Sequence, residues 1–112
     1  VKKNRPSLEY SVKDLFEVKP SYTDPKSNIV QTVEDSISEI LGVKPEYVVS
    51  PGSYDQKHID RIGKLKNCIA YGPGILELAH QPDEFILISD MLDSAKIMAM
   101  TISKLLNEDV IN

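Results

Sequence analysis

Two amphipathic helical stretches, separated by short apolar runs that end in glycine and proline loops, predict an α/β fold: a mainly parallel sheet flanked by helices. Three observations carry that expectation. Apolar residues recur at helical spacing over 29–41 and again over 92–105. Short strand-like runs at 47–49 and 67–71 fall between those stretches. These runs pass directly into Ser50-Pro51-Gly52-Ser53 and Gly72-Pro73-Gly74. In sheets of this kind ligands bind at loops beyond the carboxyl ends of strands, which directs attention to residues 50–55 and 72–84.

Each element has its own signal. From Leu8 to Val18 the even positions are Leu8, Tyr10, Val12, Asp14, Phe16 and Val18, with mostly polar odd positions, the period-two pattern of a strand with one solvated face. Lys19 to Ser27 contains Pro20 and Pro25 among turn formers, and proline removes a backbone donor, so a linker or hinge is expected. Ile29, Val30, Val33, Ile37, Ile40 and Leu41 define a helix face, with Ser27 or Asn28 as N-cap and Gly42 suited to a left-handed C-cap. Tyr47-Val48-Val49 is a short, β-branched strand candidate. Tyr54, His58 and Ile62 share one face at four-residue spacing and predict a short helix ending at Gly63. Asn67 to Tyr71 reads as a further strand. A last helix is expected from near Ser89, with Leu92, Ala95, Met98, Ala99, Ile102 and Leu105 as its apolar face. Asp90 and Asp93 in its first turn and Lys104 near its end suit the helix macrodipole.

A length of 112 residues bounds the chain to one small domain. Its 13 basic and 17 acidic side chains are spread without a block of like charge, which disfavours nucleic acid and anionic membrane surfaces as partners. No apolar run approaches the roughly 18 residues a membrane span needs, and no secretory signal pattern is visible. Cys68 is the sole cysteine. It excludes an internal disulfide and a cysteine-rich zinc cluster and fits a reducing compartment, so a cytoplasmic setting is expected. Val1 stands where an initiator methionine would, and the expectation is a processed product or a piece of a longer chain. Walker, dinucleotide-binding and nucleophile-elbow motifs are absent from the sequence.

The loop 72–84 gathers the most chemistry: Gly72-Pro73-Gly74, the imidazole of His80, and carboxylates at Glu77, Asp83 and Glu84. An imidazole beyond a strand end can ligate a metal through one ring nitrogen while an acceptor orients the other. The competing reading is an ordinary loop histidine among solvated charges. With two histidines in the chain, a complete zinc site would have to recruit several carboxylates. Backbone amides at Gly52-Ser53 and Gly72-Pro73-Gly74 can hold a carboxylate or oxyanion, because a missing Cβ lets a ligand approach closely; plain tight turns are the alternative. His58 reads as a packed histidine, Cys68 as an inert buried thiol, and Met91, Met98 and Met100 as core or flank.

Taken together, Ser50-Pro51-Gly52-Ser53-Tyr54-Asp55, Tyr71-Gly72-Pro73-Gly74 and Ala79-His80-Gln81-Pro82-Asp83-Glu84 ahead of an amphipathic helix resemble the end of a zinc-dependent amidohydrolase. The family is that of acetylornithine deacetylase, succinyl-diaminopimelate desuccinylase, aminoacylase and glutamate carboxypeptidase. The resemblance implies a catalytic domain with an inserted lid domain often used for dimerisation. Residues 1–24 then resemble the last lid strand and hinge, and 25–112 the C-terminal segment of the catalytic domain. It also implies that His80 is a ligand of one zinc in a two-metal site, with cobalt or manganese as substitutes. Gly52, Ser53, Gly72, Pro73 and Gly74 are implied to line the substrate pocket. Where many relatives have Gly-Gly-Thr-Ser-Asp, a small residue and arginine, this chain has Pro51-Gly52-Ser53-Tyr54-Asp55 and Gln56-Lys57, a departure that bears on the substrate.

The function so implied is hydrolysis of the amide bond of an N-acyl amino acid or small peptide. By itself the chain is expected to be an inactive fragment, to bind no metal and to self-associate through uncovered apolar surface. A non-catalytic binding or oligomerisation module derived from the same fold is the alternative.

Overall fold

The computed structural model describes residues 4, 7, 9–50 and 52–111, with side chains up to residue 107. Leu8, at the start of the expected first strand, and Pro51, in the first glycine loop, lie outside the described residues. In order, the elements are α1 (Asn28–Leu41), α2 (Gln56–Arg61), a single 3-10 turn (Leu76–Leu78) and α3 (Ile88–Ile111).

Helix α1 forms where the periodicity places it. Asp24 begins a turn in which its Oδ1 accepts the Lys26 N–H at 2.8 Å, a side-chain turn that aims the chain into the helix. Ser27 is the N-cap by backbone, although its hydroxyl makes no capping bond. At the far end Gly42 takes φ 68°, and its N–H donates to Ser38 O at 2.9 Å, closing the last turn in the left-handed conformation that glycine adopts at little cost. Helix α2 is shorter than the expected 54–62 span, and α3 begins at Ile88, one residue ahead of the expected start near Ser89.

Helices α1 and α3 pack against each other. Among the described residues the buried apolar side chains are Val30 and Ile37 of α1 and Ile97 of α3, the last only 1% exposed. Hydroxyls are buried with them: Thr32 and Ser36 on α1, Ser94 and Thr101 on α3. Thr32 and Ser36 satisfy theirs by donating to carbonyls one turn back, Asn28 O and Thr32 O, each at 2.8 Å. Ser94 Oγ and Thr101 Oγ1 find no partner. The Lys104 ammonium, paired with the Glu39 carboxylate, crosses between the two helices at the surface.

Two expectations are corrected here. The parallel sheet, and the single strand ahead of it, are not formed: among the described residues there is no strand. A strand exists only through hydrogen bonds to a neighbour, whereas a helix closes its own. The runs 9–18, 47–49 and 67–71 carry strand-like composition but no ladder, and they lie largely exposed, Val49 to 98%. The second correction concerns α3. Leu92, Ala95, Met98, Ala99 and Ile102 are exposed and Leu105 is half-buried. The face turned inward carries Ser94, Ile97 and Thr101 instead. At roughly 100° per residue, that seam lies about a third of a turn from the apolar stripe.

The 47–49 run is tethered to α1 by polar atoms. The Tyr47 hydroxyl donates to Glu34 Oε2, and Lys44 Nζ sits 3.1 Å from Glu34 Oε1. The Tyr47 hydrogen bond first, and then Lys44, hold the Glu34 carboxyl below its ordinary value. The same bond raises the Tyr47 phenol. Overall dimensions are 68 × 37 × 19 Å with a radius of gyration of 19.6 Å. A closed globule of this length would have a radius of gyration of about 13 Å, so the segments outside the helix pair are spread rather than wrapped around it.

Candidate functional site

The loop after residue 71 faces α3 across an open cavity. Gly72, Pro73 and Gly74, the last at φ 111°, form one wall of an open cavity of about 190 Å³, with Asp90, Asp93, Ser94 and Ile97 of α3 opposite. A Cβ at Gly72 or Gly74 would meet nothing within 4 Å, so the approach to this backbone is open. Further along, the 3-10 turn is followed by His80 at φ 63° and Asp83 at φ 60°. Two non-glycine residues in the left-handed region so close together mark a tightly folded loop. Glu84 stabilises it by accepting the His80 N–H on Oε2 at 3.1 Å, which leaves the His80 side chain exposed on a main chain that is tied down.

The first glycine loop is organised differently. Gly52 N–H donates to Ser50 Oγ at 3.2 Å, and that hydroxyl is 2.9 Å from Tyr54 Oη. The Lys57 ammonium donates to Ser53 Oγ at 2.6 Å, bringing a cation to the loop. Gly52, Ser53 and His80 line neither the cavity at Gly72–Gly74 nor the basic cleft described next, so neither of these two cavities brings all the candidate residues together. A group of three or more histidine, cysteine, aspartate or glutamate side chains able to hold a metal ion is absent among the described residues. One imidazole is not a zinc site, and the described donors do not make a complete one.

Sequence reasoning did not find two features. Thr23 Oγ1 lies 2.9 Å from Lys66 O and 2.5 Å from Cys68 O, and Gln56 Nε2 donates to Cys68 O. This polar knot fastens the proline-containing linker to the start of α2 and to the 66–68 segment. No periodicity reports such a knot, because it joins residues more than forty positions apart. The second feature is a cleft of about 540 Å³ between residues 16–21 and the α2 region, whose walls include Lys19, Lys57, His58, Arg61, Lys64 and Lys66. Its signal was present in the sequence as a concentration of bases over 57–66. His58 is half-buried on this wall.

Comparison with known proteins gives a consistent result. The family model described as Peptidase family M20/M25/M40 matches residues 4–104. The chain is 32% identical over 99 residues to a putative [LysW]-lysine/[LysW]-ornithine hydrolase of Pyrococcus abyssi, covering 87% of this chain and 28% of that protein. It is 29% identical over 106 residues to a succinyl-diaminopimelate desuccinylase of Nitrosomonas eutropha, covering 95% of this chain and 27% of that one. A desuccinylase of Sulfurimonas denitrificans is 32% identical over 63 residues, 56% of this chain and 17% of its own length. The chain thus spans less than a third of the length of these curated relatives. No solved structure matches it.

Proposed function

Because the chain belongs to peptidase family M20/M25/M40, we propose that it is the C-terminal portion of a hydrolase that cleaves the amide bond of an N-acyl amino acid or small peptide. The match over residues 4–104 carries this reading, and the relatives named as a succinyl-diaminopimelate desuccinylase and a putative [LysW]-lysine/[LysW]-ornithine hydrolase support the substrate class. In it, residues 1–24 are the end of a lid and its hinge, and residues 25–112 belong to the catalytic domain. On this reading the working enzyme acts in the cytoplasm. Among the described residues, no helix is long and apolar enough to cross a membrane.

His80 contributes one ligand to a zinc ion whose other ligands come from the remainder of the enzyme. A bound zinc supplies water activation and carbonyl polarisation. The residues of this chain have simpler tasks. The loop bond from His80 N–H to Glu84 fixes the backbone from which the imidazole projects. A Cβ at Gly72 or Gly74 would meet open space, so a substrate carboxylate can approach this backbone and accept hydrogen bonds from its amides, Pro73 having no N–H to offer. At the other loop Gly52 N–H is already engaged, which leaves Ser53 N–H and the Lys57 ammonium for that role. Without its partners the isolated chain is inactive and metal-free, and the exposed stripe on α3 favours self-association.

The test is His80→Ala in the full-length protein, with zinc content and hydrolysis of N-acyl amino acids both measured. Losses of about 100-fold or more in metal affinity and rate, with helical content unchanged, are expected. Retained zinc and activity would remove His80 from the site. A full-length protein that binds zinc yet hydrolyses no such amide would favour a non-catalytic binding module.

A further inference from the structure

Lysine and arginine make up 13 of the 112 residues and the chain carries a formal charge of −4, yet the cleft between residues 16–21 and α2 has the opposite balance. Five of its twelve lining residues are Lys19, Lys57, Arg61, Lys64 and Lys66, and its only carboxylates are Glu17 and Asp60. Asp60 is taken by its ion pair with Lys66. Among the described residues, Lys19, Arg61 and Lys64 have no carboxylate partner. Arg61 lies instead with its guanidinium carbon 5.5 Å from the centre of the Phe16 ring. A guanidinium over a ring face is held in place while its in-plane N–H donors stay available to an oxyanion.

The cleft is also built rather than a chance approach of two segments. The Thr23, Gln56 and Cys68 knot fastens the linker to α2 from below. Beyond α2 the chain is turned back by the Leu65 N–H donating to Ile59 O at 3.3 Å, with Lys64 held at φ 57°. Cations gathered in one concavity repel each other and draw anions into it from solution. The volume of about 540 Å³ matches a metabolite-sized ligand. We propose that this cleft binds a small molecule carrying two or more oxyanion groups, phosphate or carboxylate, which joins Lys19 on the linker to Arg61 and Lys64 at and just after the end of α2. Among the residues that the hydrolase reading turns toward substrate or metal, the cleft shares only Lys57, since neither His80 nor any candidate glycine lines it.

The experiment titrates inorganic pyrophosphate and, separately, citrate into the isotope-labelled chain at constant ionic strength, following backbone amide shifts. Saturable shifts confined to residues 17–21 and 57–66 are expected. Lys19→Gln/Lys64→Gln should weaken binding about ten-fold or more, while Lys96→Gln, on α3 outside the cleft, should leave it unchanged. Lys19→Gln alone lies outside every helix, so weaker binding in that variant cannot be blamed on unfolding of α2. Tighter pyrophosphate identifies a phosphate ligand and tighter citrate a polycarboxylate. No saturable shift with either probe, or an equal loss in Lys96→Gln, overturns the proposal.

Discussion

The strand-like runs are richer in apolar residues than the helix pair, yet the helix pair is ordered around a buried seam and the runs lie open. Ile97 in α3 is 1% exposed and Val49 in the 47–49 run is 98% exposed. The difference comes from where hydrogen bonds are made. Helices α1 and α3 satisfy their backbones internally and need each other only for a narrow stripe of side chains. The runs 9–18, 47–49 and 67–71 need a neighbouring strand for every donor and acceptor, and none lies alongside them among the described residues.

The sharpest way to break this comparison is to truncate one side chain from each region. Ile97→Ala is expected to destabilise the helix pair by about 2–5 kcal/mol, and Val49→Ala to change stability by less than about 0.5 kcal/mol, read from urea unfolding followed by helical circular dichroism. Equal losses would mean that the 47–49 run is packed in solution. A smaller effect is expected at the end of α1. An added Cβ at Gly42 would touch nothing within 4 Å, so Gly42→Ala isolates the cost of the left-handed conformation, about 1 kcal/mol in the same assay.

The smallest effect is a pH dependence at the tether between the regions. Glu34 is depressed in the folded chain, by the Tyr47 hydroxyl first and Lys44 second, so its contribution is complete above the unfolded carboxylate range. It fades as pH falls through the folded value. Tyr47 is raised by Glu34, so its contribution is complete below the unfolded phenol range and fades as pH rises through the folded value. Tyr47→Phe should return Glu34 toward its ordinary value and abolish the alkaline loss, as followed by carboxyl-carbon titration. An unmoved Glu34 would mean that the tether is absent in solution.

How far the sequence could be read follows the same division. Helix α1 and its Gly42 stop were legible because they depend on residues within a few positions of each other. The existence of α3 was legible too, but its buried side was not. Hydropathy ranks Leu92, Met98 and Ile102 above Ser94 and Thr101, whereas close packing against α1 selects the small hydroxyl residues. The sheet was misread because strand-like composition reports suitability for pairing and not the presence of a partner. At the candidate site, His80 and the two glycine loops were visible as residue types in a familiar order. How the two loops stand in space was not, since nothing local encodes the distance between residue 52 and residue 80. The basic cleft was written plainly in residues 57–66 but was averaged away by the overall negative charge.

The elongated outline, 68 Å along its longest axis, bears on how the chain would be weighed. A rod-like particle drags more solvent than a sphere of equal mass, so a single copy emerges early from a sizing column and passes for a pair. Scattered light intensity, which reports mass independently of shape, is therefore the measure that separates a stretched single copy from a true dimer.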